Sequence, residues 1–146
     1  MEDFVDVFTN KYVYIPLLLW FFIQLFKVAW DLVVDKKFDF KRVLGAGGMP
    51  SSHSAVVCAL AVMIGKEVGF DSCIFALSLL FAIVVMYDAC GVRRAAGKQA
   101  KMLNKIISTP GLTGVQVQEK LVEVLGHTPV QVLVGALIGI IVGIIM

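Results

Sequence analysis

Residues Phe70–Cys90 read FDSCIFALSLLFAIVVMYDAC. This run reaches the roughly 20 residues that a bilayer-spanning helix needs, and it sets the scale for reading the rest of the chain. Three other stretches approach that length: Tyr14–Val34, Ser52–Val68 and Pro129–Met146. The second is the least apolar, with Lys66 and Glu67 near its end. Hydrophobic residues make up 59% of the 146-residue chain and charged residues 16%, against about 25% charged in ordinary soluble domains. One integral-membrane domain over residues 1–146 is therefore expected. The fold class that follows is all-α, a compact bundle of about four transmembrane helices with one or two short interfacial helices.

Charge gives the topology. Net charge is only +2, but it is unevenly spread. Lys36, Lys37, Lys41 and Arg42 follow the first apolar run, and Arg93, Arg94, Lys98, Lys101, Lys105 and Lys120 lie between the third and fourth. The positive-inside rule places both basic stretches in the cytoplasm and both termini outside. The expected location is the cytoplasmic (plasma) membrane. Glu2, Asp3 and Asp6 stand where a signal peptide would be basic, so no cleavable signal is expected. Cys58, Cys73 and Cys90 all fall in apolar runs and suggest neither a disulfide framework nor a zinc site. The lipid bilayer is the expected partner, and nucleic acid is not.

Flanking or punctuating the first run, Tyr12, Tyr14, Trp20 and Trp30 read as interfacial anchors. Lys27 and Asp31 are four apart and share a helix face. They are either an intramembrane functional pair or two side chains that snorkel to the cytoplasmic interface. Val92–Ser108 reads as an amphipathic helix. Val92, Ala95, Ala96, Met102, Leu103, Ile106 and Ile107 recur at helical spacing opposite a stripe of Arg94, Lys98, Lys101 and Lys105. Such a helix can lie among anionic headgroups; plain positive-inside charge is the simpler account of Lys101 and Lys105. Ser108–Gly114 reads as a loop and Val115–Leu125 as a short helix. Gly135, Gly139 and Gly143 form a small-residue ridge that suits close packing, either within the bundle or in a homodimer.

Polar chemistry gathers where these runs begin and end. Gly45-Ala46-Gly47-Gly48 followed by Met49-Pro50-Ser51-Ser52-His53 leads into a helix. Glycines such as Gly48 let backbone N–H groups approach an anion. Pro50 suits a first helical turn, and Ser51 and Ser52 add donors or a cap. Gly126-His127-Thr128-Pro129 has the same pattern, with Gln131 completing a capping box. The positive end of a helix disfavours imidazolium and keeps a neutral His127 nitrogen for attack. Gln131 is also placed to orient His127, although the cap is its simpler role. Arg93 or Arg94 would neutralise a phosphate; Arg94 continues the basic stripe and Arg93 is the alternative. Asp88 either orients a histidine or pairs with an arginine. The charge-derived topology puts all three motifs on one membrane face.

Pro50-Ser51-Ser52-His53 resembles the Pro-Ser-Gly-His motif of the type-2 phosphatidic acid phosphatase and vanadium haloperoxidase superfamily. The strings GGMPSSHSA, YDACGVRRAAGKQA and LGHTPVQVLVGALIG look like its divergent membrane branch, and the likeness runs from about Lys41 to the carboxyl terminus. The resemblance implies His127 as nucleophile, forming a phosphohistidine, and His53 as general acid. Ser51, Ser52 and an arginine would hold the phosphate, with Lys41, Arg42 or Lys27 in place of the usual upstream lysine–arginine motif. It implies no metal ion and no cofactor. The chain departs from the usual pattern in having Leu121 six residues before the nucleophile and Gln131 four after; Glu123 could supply the carboxylate instead. A membrane lipid phosphate is the expected substrate: phosphatidylglycerophosphate, phosphatidic acid or a polyprenyl phosphate. The alternative is a non-catalytic protein that binds or carries anionic lipid or phosphate.

Overall fold

The computed structural model describes residues 2–34, 48–109, 121–123 and 125–146. These residues form six helices: α1 Glu2–Thr9, α2 Lys11–Val34, α3 Ser52–Val68, α4 Cys73–Cys90, α5 Val92–Ile107 and α6 Pro129–Ile145. There is no strand among the described residues, in line with the all-α expectation. Two stretches are long and apolar enough to cross a membrane, Lys11–Val33 and the run Cys73–Ile107 that α4 and α5 make together, and Pro129–Ile145 is a shorter apolar helix. Lys36, Lys37, Lys41, Arg42, Lys120 and the glycines before Gly48 lie outside the described residues.

Local chemistry sets the helix ends. Asn10 separates α1 from α2, and its side chain accepts the Tyr12 N–H at 2.9 Å. Ser51 caps α3 by accepting from Ser54 N, and Gly69, at φ 97°, closes it. Ser72 then caps α4 by accepting from Phe75 N at 3.2 Å. The turn between these helices is tight because the Phe70 ring folds over Gly65, where any Cβ would collide with it, and meets Phe75 edge-on at 5.0 Å.

α3 is the hub, packing against α6, α4 and α2. Its closest partner is α6, whose Gly135, Gly139 and Gly143 lie against the backbone carbonyls of Ser51, Ala55 and Ala59. Both sides advance by four residues, so the two helices run parallel with their N-termini at the same end. Lipid tails are as apolar as leucine, so burying apolar area does not hold such helices together; close van der Waals contact between small residues does. The interior is correspondingly small, with Ala55, Ala59, Ala61, Ala82, Ala89 and Ala136 buried, while Phe22, Leu77, Leu80, Val84, Leu133 and Leu137 lie outward. α2 runs antiparallel to α3, tied at the far end by Lys11 and Glu67 at 2.8 Å. There Lys66 also donates to the Ile144 carbonyl at 2.6 Å, near the end of α6.

One helix is new and two expectations need correction. α1 was not anticipated. Pro50 stands outside α3 rather than in its first turn, because Ser51 takes the cap. Residues 121–123 and 125 of the expected helix Val115–Leu125 are not helical; they lie against α5, with Leu121 held by Asn104. The remainder of that segment lies outside the described residues. The glycine ridge packs within the bundle, against α3, which is one of the two placements expected of it.

Candidate active site

Because α3 and α6 run parallel, their N-termini lie side by side, and each carries a histidine. His53 is in the first turn of α3, and His127 immediately precedes Thr128, the cap of α6. Their ring centroids are 6.3 Å apart with planes at 59°. Two backbone hydrogen bonds hold this arrangement. Ser51 N donates to the Gln131 carbonyl at 3.1 Å, and His127 N donates to the Ala89 carbonyl at 2.8 Å. The second brings the end of α4, and with it Asp88 and Arg93, to the histidines.

Gly126 makes that approach possible. Its φ is 78°, a conformation side chains disfavour, and any Cβ there would strike the backbone of Arg94. Thr128 and Gln131 form a reciprocal capping box. The Gln131 side chain accepts from Thr128 N at 2.9 Å, and Gln131 N donates to Thr128 Oγ1 at 3.3 Å. Gln131 thus serves as a cap. Its side chain also stands near enough to the imidazole to act on it.

His127 is 2% exposed, and neither ring nitrogen has a hydrogen-bond partner among the described residues. Burial pushes the imidazole below its usual 6.5, and the charges of Lys27 and His53 push the same way; the Gln131 side chain and Gly48 backbone oppose them. Burial thus favours the neutral form of the ring. A buried polar group left unpaired is costly and calls for an explanation; a nucleophilic role is one.

The other expected residues divide. Ser51 is fully buried and its hydroxyl is committed to the cap, accepting from Ser54 N and from Ser54 Oγ at 2.9 Å. Ser52 is also buried, in the first turn of α3 beside His53, with no hydrogen bond seen among the described residues. Gly48, at φ 80°, is exposed at the same end. Arg93 Nε pairs with Asp88 Oδ2 at 2.6 Å, and both charges act on His53. Asp88 therefore serves the arginine directly rather than holding an imidazole. Arg94 is half-buried, with no side-chain hydrogen bond among the described residues. Glu123 corrects an expectation: its carboxylate accepts from Asn104 Nδ2 at 2.9 Å, so it does not orient His127, whose nitrogens are both unpaired. Lys41 lies outside the described residues. Among the described residues, no three His, Cys, Asp or Glu side chains gather as metal ligands would.

Of the three cations offered in place of the usual upstream lysine–arginine motif, Lys27 is the one within the described residues, and it stands beside the histidines. Lys27 of α2 is buried at 9% exposure, so it does not snorkel to water. Its Cδ lies 3.8 Å from where a Gly48 Cβ would stand, and its charge acts on both histidines. The signal was present as a cation within an apolar helix, but nothing in a linear string ties α2 to the glycine turn.

A sequence model described as the divergent PAP2 family matches residues 8–142. Among curated proteins, the uncharacterized membrane protein YuiD of Bacillus subtilis (strain 168) is 41% identical over 136 residues, which cover 86% of each chain. No solved structure matches.

Proposed function

This membrane protein belongs to the divergent PAP2 family, and from that membership we propose that it hydrolyses a lipid phosphate monoester through a phosphohistidine. The observation that carries the reading is the pairing of two imidazoles 6.3 Å apart at adjacent helix starts. A nucleophile stands about 3–3.5 Å from the atom it attacks, and a general acid about 2.6–3.2 Å from the oxygen it protonates. That spacing lets one phosphoryl group reach both rings.

In the proposed first step a His127 nitrogen attacks phosphorus. The bond to the lipid alcohol oxygen breaks, and His53 gives that oxygen a proton. In the second step His53, now neutral, takes a proton from water; the water oxygen attacks phosphorus and releases His127. Burial and the helix N-terminus keep His127 neutral and able to attack. Lys27 and Arg93 supply positive charge to the phosphoryl oxygens, and Gly48 and Ser52 offer donors at the same end. Uncatalysed phosphate-monoester hydrolysis demands accelerations approaching ~10²¹-fold, so charge neutralisation alone does not suffice and both histidines are required.

In this reading α2, α3, α4 and α6 all span the bilayer. The two 17-residue helices, α3 and α6, sit at the short end of the roughly 17–25-residue range. The basic residues of α5 adjoin the histidine end, which favours a site on the cytoplasmic leaflet of the plasma membrane. A glycerophospholipid phosphate such as phosphatidylglycerophosphate or phosphatidic acid is favoured there over a polyprenyl phosphate.

The test is phosphate release from these three lipid classes by purified protein, wild type and His127→Ala. Release that vanishes in the variant and survives chelator supports the proposal; release equal in both proteins sinks it. A second reading is a carrier or receptor for anionic lipid. It is favoured by one observation, that no carboxylate orients His127. Saturable phosphatidic acid binding with no turnover on any of the three lipids would select it.

A further inference from the structure

We propose that α5 is an interfacial helix seated on the anionic headgroups of the leaflet at the histidine end, and that this seating positions His127. The coupling to catalysis rests on the phosphatase reading; the seating itself does not.

At about 100° per residue, α5 has three faces. Gly97, Ala100 and Asn104 are buried. Lys98, Lys101 and Lys105 form an exposed basic stripe. Val92, Met102, Leu103 and Ile106 form an exposed apolar stripe, Met102 at 67%. The centres of these stripes are roughly 120° apart by the same geometry. α5 begins directly after α4, the apolar span, at Gly91, so it starts at the membrane boundary. There its apolar stripe can enter the acyl margin while the neighbouring lysines meet negative headgroups. Charge complementarity and this continuity with α4 select an anionic lipid surface as the occupant.

The buried face connects α5 to the nucleophile. Asn104 grips residue 121 at both ends, donating from Nδ2 to the Leu121 carbonyl at 2.8 Å and accepting from Leu121 N at 3.0 Å. Nδ2 also reaches Glu123 at 2.9 Å. Gly97 lies so near that a Cβ would stand 2.7 Å from the Glu123 carbonyl oxygen and 2.9 Å from that of Leu125. Gly126 then rests on the backbone of Arg93 and Arg94, immediately before His127. Residues 121, 123, 125 and 126 thus lie along α5 and lead to the histidine, and an α5 that shifts carries this strap with it. Asn104 is a positioning residue, acting on His127 through backbone.

Hydrogen exchange of the full-length protein in lipid nanodiscs tests this. The discs contain either phosphatidylcholine alone or phosphatidylcholine with phosphatidylglycerol. Amides of residues 121–127 should exchange several-fold more slowly in the anionic discs. The triple variant Lys98→Gln/Lys101→Gln/Lys105→Gln should lose that difference while α3 and α6 stay protected. Equal exchange in both discs, or a difference that persists in the triple variant, overturns the proposed seating. Phosphate release should rise with phosphatidylglycerol content in the wild type only. Lipid-independent release with the exchange difference intact overturns the coupling to His127. No release under any condition, with the exchange difference intact, defeats the phosphatase reading and leaves α5 as a lipid-reading helix.

Discussion

His127 illustrates how a single group is tuned by its surroundings. Burial and two nearby positive centres hold its pKa below 6.5, so the neutral, attacking form persists as pH falls through 6.5. The acid limb of kcat/KM should lie below that value, and a limb at or above 6.5 would contradict the assignment. Linkage gives the matching stability trend. Between 6.5 and the lower folded pKa the unfolded chain binds the proton first, so the fold loses stability as pH falls through that window and gains nothing above it. Replacing His127 with Ala should reduce turnover on the order of 10⁴-fold or more, as for other covalent nucleophiles. Lys27→Met, which keeps the length and removes the charge, should cost roughly 10²-fold in kcat/KM with little change in helix content by circular dichroism. Retained activity would place Lys27 outside the site. The histidines were legible in the sequence because a glycine turn, a capping serine or threonine and a proline are local signals. Lys27 was legible only as one candidate cation among several, because its neighbours come from distant parts of the chain.

The helices themselves were largely legible. The bounds of α3, Ser52–Val68, and the starts of α5 and α6 match the apolar runs and caps read from the string. The role of the glycine ridge was not, since spacing alone does not say which surface it meets. The ridge lies against α3, and Gly139 faces the Ala55 carbonyl too closely for any Cβ. Gly139→Leu should therefore force α3 and α6 apart, costing at least the ~1–3 kcal/mol typical of overpacking and lowering the thermal midpoint in detergent. Leu137→Ala on the outward face should leave that midpoint nearly unchanged. Equal shifts in the two variants would mean that α6 packs on α3 through another face.

Across the whole molecule the histidine end and the far end should face opposite sides of a bilayer. Two native cysteines report on this: Cys73 opens α4 at the far end and Cys90 closes it at the histidine end. With the other cysteines replaced by serine, an impermeant maleimide should label Cys90 only in inside-out vesicles and Cys73 only in right-side-out ones. Labelling of both from one side would rule out α4 as a span. Composition and hydropathy by themselves determined that this chain is helical and belongs in a membrane, because a hydrocarbon solvent admits few other ways to satisfy the backbone. Local capping grammar likewise determined where polar chemistry would gather. Only the tertiary structure decided that the two imidazoles, expected on one face, stand 6.3 Å apart, that the Lys27 charge acts on both, and that Glu123 turns instead to Asn104. Each of those outcomes depends on the parallel, glycine-mediated docking of α6 on α3 and on the strap along α5. Those contacts join residues distant in the chain, and no local preference encodes their distance or direction.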